Sequence, residues 1–178
     1  MKIKTLPVGE LQCNCYLLEQ NNEYLIVDPG AEYNKIKELI KDKEVKGILL
    51  THSHFDHIGC VKDLIKDYHI PLYDNNNLKE GENHISTFNF EVIKTYGHTM
   101  DCLTFYFKEE NIMLTGDFLF YESIGRVDFP ESNIKEMIKS IEKIKKYPSD
   151  ITIYPGHGPK STLSHEKQYN YYLNHDLM

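Results

Sequence analysis

The sequence predicts an α/β or α+β sandwich in which helices cover a mostly antiparallel or mixed sheet. Short β-rich runs recur along the 178 residues, and between them apolar residues fall at helical spacing. Strands and helices do not alternate strictly, which argues against a purely parallel sheet. At this length one hydrophobic core is expected, so residues 1–178 are predicted to form a single domain.

The first half of the chain contains strand-like runs and two helix-like stripes. The strands are "IKTL", "CYLLE" and "YLIV", and the last ends at "DPG" (Asp28–Gly30), a strong turn signal. Ile36, Leu39 and Ile40 then fall at helical spacing, and "GILL" returns to a buried strand. A second helical stripe runs from Val61 to Tyr68. These apolar faces are predicted to form the core.

The second half begins with a predicted polar loop, "PLYDNNNLKEGEN". Three strands follow, in "FEVIKT", "LTFYF" and "NIML". Ser132 or Asn133 is predicted to cap a helix that buries the apolar residues of "IKEMIKSIEKI". The run "DITIYPGHG" then repeats the pattern of a strand ending in a turn.

Composition narrows the function classes. A net charge of −7, with lysines scattered among acidic residues and a single arginine, argues against a nucleic-acid binder. The chain has no apolar stretch long enough for a membrane span or a signal segment, so we expect no membrane association and a cytoplasmic location. Four cysteines are too few for a disulfide scaffold and are expected to be reduced thiols: Cys13 and Cys15 in a strand, Cys60 and Cys102 in packing positions.

Four apolar runs end in turns that carry metal-capable side chains. The run "VKGILL" precedes "THSHFDHIG" (Thr51–Gly59), which contains three histidines and an aspartate. The other runs are "VIKTYGH", "IMLTGD" and "ITIYPGH", which end at His98, Asp117 and His157, each directly after a glycine. Because open sheets place their sites beyond the carboxyl ends of strands, these residues are expected to meet at one edge of the fold.

Spacing within the first turn sorts the candidate ligands into two sets. His52 and His54 are two residues apart, which puts both on one side of an extended segment. Asp56 and His57 lie where the chain must begin to coil, so they point elsewhere. Two metal ions therefore fit better than one. The predicted sets are His52, His54 and His98 for one ion and Asp56, His57 and His157 for the other, with Asp117 free to bridge.

Imidazole and carboxylate ligands without a thiolate suit two divalent ions, with zinc preferred and iron or manganese as alternatives. Two such ions about 3.5–4 Å apart hold a water between them and lower its pKa toward about 7. The sequence therefore predicts a hydroxide nucleophile, with Asp56 and Asp117 orienting it, and no need for a serine or cysteine nucleophile.

These residues resemble the metallo-β-lactamase fold hydrolases, whose signature is H-x-H-x-D-H followed by a later His, Asp and His. The likeness is strongest to small glyoxalase II-like (hydroxyacylglutathione hydrolase-like) members, and it extends through "NCYLL", "DPG", "GHT", "LTGDFLF", "IGRVDFP", "YPGHGPKST" and "HEKQYNYYL". The resemblance implies a four-layer αβ/βα sandwich with the metal centre on one edge. It also implies the same sorting of ligands, with Asp117 bridging.

The chain departs from the family pattern near the predicted centre and at its C-terminus. In "YGHTMDC", Asp101 and Cys102 replace small residues. Glyoxalase II enzymes carry an added C-terminal helical region that forms part of the glutathione site, and the expectation here is one domain without that region. Arg126 stands in "IGR", where the family has a basic residue that contacts a glutathione carboxylate, so it is the predicted substrate-binding residue.

The predicted activity is hydrolysis of a thioester, S-lactoylglutathione or a related thiol ester, to a carboxylic acid and a thiol. Because a thiol has a pKa of about 8.5, the leaving group hardly needs a proton donor. The expected partner is this small-molecule substrate, without nucleic acid or membrane, and the sequence does not indicate an oligomeric state.

Several alternatives remain open at the level of sequence. A persulfide dioxygenase of the same fold holds a single iron, and a lactonase or phosphodiesterase also suits a bridging hydroxide. A flavodiiron reductase is disfavoured because residue 54 is His where those proteins have Glu. The acidic balance argues against a tRNA 3′ endonuclease. A metal-binding protein without enzymatic activity is the last alternative.

Overall fold

Two β-sheets face each other in the computed structural model, which describes residues 1–175. The N-terminal sheet has five strands, side by side in chain order: Lys2–Val8 (β1), Cys13–Gln20 (β2), Glu23–Val27 (β3), Glu44–Leu49 (β4) and Leu72–Tyr73 (β5). The first three strands pair antiparallel, while β3 with β4 and β4 with β5 pair parallel, so this sheet is mixed.

The second sheet has six strands: Gly81–Ile85 (β6), Phe88–Lys94 (β7), Leu103–Phe107 (β8), Ile112–Gly116 (β9), Thr152–Pro155 (β12) and Ser161–Thr162 (β13). Their order in space is β13-β12-β9-β8-β7-β6, and only β9 and β12 pair parallel. A separate hairpin is formed by Leu119–Phe120 (β10) and Ser123–Ile124 (β11).

Six helices complete the described part of the chain: Tyr33–Ile40 (α1), Phe55–Ile58 (α2), Val61–Tyr68 (α3), Ile134–Ile144 (α4), Leu163–Tyr169 (α5) and Tyr171–Asn174 (α6). Among residues 1–175, none of these helices has the length and apolar character needed to cross a membrane.

The main core lies between the two sheets because their strands carry apolar residues on both faces. In β2, Tyr16 and Leu18 point into the core between the sheets, whereas Cys15 and Leu17 join a different cluster on the outer face. Phe90 and Phe105 meet them from the second sheet, with ring centroids 5.8 Å apart in an edge-to-face arrangement. Burial of both faces explains why the strands read as continuous apolar runs.

Helices cover the outer face of each sheet. Ile36, Ile40 and Leu64, from α1 and α3, pack on the N-terminal sheet. The apolar face of α4, with those of α5 and α6, packs on the second sheet. The order helix, sheet, sheet, helix is the predicted four-layer sandwich, and the fold prediction is confirmed.

Local differences from the sequence prediction occur in short elements. The segment predicted as a polar loop contains β5 and the start of β6, and the prediction is wrong there because strands of two residues are too short to show a period of two. The β10–β11 hairpin, β13, α5 and α6 were not predicted. Asn133, and not Ser132, caps α4: its side chain accepts the backbone N–H groups of Lys135 and Glu136.

The topology brings four strand ends to one edge of the molecule. Because β7 and β9 both pair antiparallel with β8, they run in the same direction, and β12 runs parallel to β9. Their carboxyl ends therefore lie together, and the carboxyl end of β4 in the facing sheet contributes the segment that follows Leu49.

Candidate metal centre

All seven predicted ligands lie at this edge. His52 and His54 follow β4 in extended backbone, and α2 begins at Phe55, so Asp56 and His57 already lie on a helical turn. The remaining three follow the ends of β7, β9 and β12: they are His98, Asp117 and His157. The expectation that the chain begins to coil between the two pairs of ligands is confirmed.

The first predicted set forms a tight group of imidazoles. Ligand-capable atoms of His52, His54 and His98 all lie within 4.8 Å of one another. His54 Nδ1 and His98 Nε2 are 3.0 Å apart. His52 and His98 are buried, whereas the His54 side chain is 25% exposed. Three nitrogens at this separation can share one ion, since zinc binds histidine nitrogen at about 2.0–2.1 Å.

The second predicted set lies beside the first. His157 Nε2 is 3.2 Å from an Asp56 carboxylate oxygen, and His57 Nε2 is 3.8 Å from the same oxygen. His57 is fully buried, and the Asp56 and His157 side chains are 15% and 26% exposed. Two imidazoles and a carboxylate therefore face a common point that solvent can reach.

Asp117 lies between the two sets. One carboxylate oxygen, Oδ2, is 3.7 Å from His98 Nε2 and 3.5 Å from His157 Nε2. The other, Oδ1, is 3.3 Å from His57 Nε2. A single carboxylate thus has ligands of both sets within 4 Å, which is the arrangement that a bridging ligand requires.

Three buried polar atoms at this centre have no hydrogen-bond partner among residues 1–175: His52 Nε2, His57 Nε2 and Asp117 Oδ1. Burying such groups without a partner costs about 1–3 kcal/mol each, and more for charged groups. All three face the same small volume, together with the other imidazoles. The donor set of nitrogen and carboxylate oxygen therefore fits divalent metal ions, which would satisfy these atoms.

Most of the imidazoles are oriented by a hydrogen bond from Nδ1, which leaves Nε2 for a metal. His98 Nδ1 is 2.8 Å from the carbonyl oxygen of Arg126, and His157 Nδ1 is 3.0 Å from that of Leu11. Since a carbonyl oxygen only accepts, each Nδ1 carries the proton. His54 is reversed: its Nε2 is 3.2 Å from a Glu131 carboxylate oxygen, and Nδ1 faces the centre. Such partners fix tautomer and ring orientation.

Asp28 is a supporting residue that the sequence pattern marks only as part of a turn. It is buried, and its carboxylate accepts hydrogen bonds from His57 Nδ1 at 2.9 Å, the Thr51 amide at 2.8 Å and the Thr51 hydroxyl at 2.6 Å. The Thr51 hydroxyl is also 3.2 Å from His52 Nδ1. One carboxylate thus supports both predicted sets. The one sequence signal for this role is an acidic residue placed directly after an apolar strand.

Burial and neighbouring carboxylates shift the pKa values of three histidines in the centre. Burial lowers the pKa of His52 well below its usual value and also lowers that of His98, so both rings are neutral with a free lone pair. Burial acts in the same direction on His57, but the carboxylates of Asp28 and Asp117 outweigh it and raise the His57 pKa well above its usual value. The Asp28 and Asp117 carboxylates thus favour positive charge at the position of His57.

Gly156 makes room for the centre. A Cβ atom at this position would lie 2.2 Å from Asp117 Oδ1 and 2.9 Å from His57 Cε1. Gly116 has φ of +51°, in the left-handed region, and a Cβ there would lie 2.4 Å from the Thr51 hydroxyl oxygen. Close approach therefore requires glycine at both positions, and the left-handed turn requires it at Gly116 as well.

Cys13 also borders the centre, although the sequence analysis treated it as a strand residue. Its sulfur lies within 4.8 Å of ligand-capable atoms of both His57 and His157. Burial raises the pKa of its thiol to about 11. The other three cysteines are also free and buried, and Cys102 contacts the Thr99 hydroxyl at 3.0 Å.

A cavity of about 480 Å³ opens above the centre. Five of the seven predicted ligands line it: His54, Asp56, His98, Asp117 and His157. Its other walls are mainly apolar and include Leu11, Phe55, Phe120, Ile124 and Phe129. A substrate can therefore place a reactive carbonyl over the ligands while its apolar parts contact these walls.

Arg126 lines the same cavity, but its guanidinium is engaged by another residue. Nε and one terminal nitrogen each donate to Asp128 at 2.9 Å, and the guanidinium lies 4.3 Å from the centre of the Phe129 ring. Both side chains of the pair are 66% exposed. Because exposed pairs contribute about 0.2–1 kcal/mol, separating Arg126 from Asp128 costs little.

Comparison with known proteins places these features in a family. The model of the "Metallo-beta-lactamase superfamily" matches residues 8–78 and 67–157. The chain is 33% identical to the probable metallo-hydrolase YqgX of Bacillus subtilis (strain 168), with 98% of each chain covered. It is 31% identical to hydroxyacylglutathione hydrolase GloC of Haemophilus influenzae (strain ATCC 51907 / DSM 11121 / KW20 / Rd), over 98% of this chain and 99% of the relative.

Solved structures agree. The crystal structure of the BLEG-1 B3 metallo-β-lactamase matches with a TM-score of 0.92 and 30% identity, covering 98% of this chain and 100% of that one. The structure of TTHA1623 in a di-iron-bound form matches with a TM-score of 0.87 and 29% identity, covering 95% and 99%. The protein therefore belongs to the metallo-β-lactamase superfamily and is a metallo-hydrolase of that fold.

Proposed function

We propose that the protein hydrolyses thioesters of the glyoxalase II type, converting S-lactoylglutathione or a related thiol ester to a carboxylic acid and a thiol. The observation that carries the proposal is the cavity whose floor consists of convergent imidazoles and carboxylates. Similarity to hydroxyacylglutathione hydrolase GloC along 98% of the chain supports the choice of substrate class.

The proposed cofactors are two divalent metal ions, zinc in preference to iron or manganese. His52, His54 and His98 would hold one ion, Asp56, His57 and His157 the other, and Asp117 would be shared. When bound, the ions supply a Lewis acid and lower the pKa of water so that hydroxide is available near neutral pH. The di-iron form of TTHA1623 supports two ions in this fold and keeps iron among the alternatives.

The side chains of the centre would position the nucleophile and the carbonyl. Asp56 and Asp117 each offer carboxylate oxygens, which can accept a hydrogen bond from the attacking water and orient its lone pair. The apolar walls near Phe55 and Phe129 would exclude bulk water from the reacting carbonyl. The sulfur would leave as thiolate, since a thiol pKa of about 8.5 makes a proton donor unnecessary.

Arg126 is proposed to bind an anionic part of the substrate by releasing Asp128. The pair is exposed and lies at the cavity wall, where a substrate carboxylate can replace Asp128 with the same two hydrogen bonds. We further propose that the partner is a small-molecule thioester, that nucleic acid and membranes are not partners, and that the protein acts in the cytoplasm. That residues 1–178 form a single domain stays a prediction.

The test is thiol release from a thioester panel by protein loaded separately with zinc, iron or manganese. We expect His54→Ala to abolish most of the activity, whereas the matched control His84→Ala, which changes an exposed histidine outside the centre, should behave as wild type. If fully metal-loaded wild type and His54→Ala release thiol equally slowly from every thioester, the proposal is wrong.

Two further measurements on the same preparation separate the competing chemistries. Oxygen consumption with glutathione persulfide and one iron per chain would indicate a persulfide dioxygenase. β-Lactams, lactones and phosphodiesters belong in the hydrolysis panel, because the BLEG-1 structure is that of a B3 metallo-β-lactamase. Thioester turnover well above turnover of these esters and lactams is the expected result.

A further inference from the structure

Cys13 is a buried core thiol that also borders the predicted metal ligands. Its sulfur, one ring nitrogen of His57 and one ring nitrogen of His157 all lie within 4.8 Å of one another. Cys13 and His57 are fully buried, and His57 Nε2 has no hydrogen-bond partner among the described residues. The Cys13 side chain belongs to the apolar cluster on the outer face of the N-terminal sheet, and its sulfur also lies beside two imidazoles.

The remaining contacts of the two imidazoles define which of their atoms are available. His57 Nδ1 is occupied by Asp28, and His157 Nδ1 by the carbonyl oxygen of Leu11. Nε2 of each ring is therefore the nitrogen left for a metal. Both Nε2 atoms lie within 4 Å of the Asp56 carboxylate. The two Nε2 atoms thus face the Asp56 carboxylate, and the Cys13 sulfur lies within 4.8 Å of one nitrogen of each ring.

Backbone pairing on both sides fixes the position of Cys13. It pairs with Val8 of β1 on one side and forms an antiparallel bridge with His157 on the other. The next residue, Asn14, donates its backbone N–H to the Gly156 carbonyl at 2.7 Å and its side-chain amide to the Pro155 carbonyl at 3.0 Å. The sulfur is therefore held beside His157 by the sheet itself.

We propose that Cys13 is a thiolate ligand in the second half of the metal centre, together with His57 and His157. This inference rests on the metal centre of the proposed function but not on its substrate. When the sulfur binds the ion, the thiol proton passes to solvent, and no other reactant is needed. Thiolate is a softer donor than carboxylate, so Cys13 would favour zinc over manganese in this half.

X-ray absorption at the zinc edge of the two-zinc protein tests the assignment without any variant. We expect a sulfur scatterer at about 2.3 Å beside nitrogen and oxygen at about 2.0–2.2 Å. The signal should be lost in Cys13→Ser and retained in the matched control Cys15→Ser, which changes the next cysteine of the same strand. Cobalt-loaded protein provides a second readout, since thiolate-to-cobalt charge-transfer absorption should disappear only in Cys13→Ser.

Each outcome decides the question. Wild type that binds two ions but shows no sulfur scatterer would overturn the role of Cys13 while leaving the metal centre and the proposed function intact. Loss of the sulfur signal in Cys15→Ser with retention in Cys13→Ser would also overturn it. A chain that binds no metal would overturn both proposals. If Cys13→Ser does not fold, the wild-type spectra alone give the answer.

Discussion

Replacing Asp28 by asparagine tests how strongly the residues behind the ligands control metal binding. The Asp28 carboxylate accepts three hydrogen bonds, two from Thr51 and one from His57 Nδ1. Asparagine has the same shape but only one acceptor oxygen. If that oxygen keeps the Thr51 amide, the new NH₂ group faces His57 Nδ1–H, and two donors oppose each other.

Metal binding needs a neutral His57 with its proton on Nδ1, but the asparagine makes it favourable for the neutral ring to keep that proton on Nε2, the nitrogen that faces the centre. A protonated Nε2 cannot bind metal, so the proton must return to Nδ1 before His57 can bind an ion. Loss of such a supporting partner typically lowers metal affinity about 10–100-fold. At about 1.36 kcal/mol per factor of ten, the expected cost is about 1.4–2.7 kcal/mol. This loss of affinity should affect only one of the two bound metal ions.

Competition with a chromophoric chelator measures both equivalents of zinc in Asp28→Asn, wild type and the control Asp63→Asn, which changes an exposed aspartate on α3. Circular dichroism establishes that each variant is folded. The reasoning is refuted if folded Asp28→Asn binds both zinc ions within about twofold of the control, since one pair of opposed donors must cost more than that.

Three further predictions address other parts of the molecule. Gly156→Ala should lower metal affinity at least about tenfold, because its Cβ would lie 2.2 Å from a carboxylate oxygen of the centre; chelator competition measures this. Arg126→Ala should raise the KM for an anionic thioester with kcat unchanged, and Asp128→Asn should lower that KM; unchanged values in both would contradict the role of the pair. Hydrogen bonds, first from Ser86, lower the pKa of Glu23 from 4.5 to about 2, so its stabilisation is complete above pH 4.5 and lost as pH falls toward 2. When both proteins are measured with a metal chelator present, the Tm of Glu23→Gln should therefore fall less between pH 4.5 and pH 2 than the Tm of wild type.

The sequence carries much of the fold because strand ends and ligands coincide. Apolar runs identified β4, β7, β9 and β12, and a metal-capable residue follows each run. The two-residue spacing of His52 and His54 and the helical start at Phe55 were both readable from local pattern. Short elements such as β5 were not, because their pairing depends on neighbours supplied by the rest of the sheet.

Residues behind the ligands were harder to find, since no local spacing marks them. Asp28 is 29 positions from His57, and their contact exists only because β3 and β4 pair parallel. Cys13 reaches His157 through a bridge between two sheets, over an even larger separation. The sequence cannot distinguish an ordinary strand residue from one that contacts a metal ligand when the fold brings the two together from distant positions in the chain.

The supporting contacts also explain why the centre depends on both sheets. His98 is oriented by the carbonyl of Arg126, His157 by that of Leu11, and His57 by Asp28. These partners follow the β10–β11 hairpin, precede β2 and follow β3, so each belongs to a different part of the fold. A backbone carbonyl cannot be removed by substituting its own side chain, whereas a carboxylate can. Asp28 beside His57 and Glu131 beside His54 are therefore the supporting carboxylates through which a single substitution reaches an imidazole tautomer without changing a predicted ligand, and of the two only Asp28 is buried.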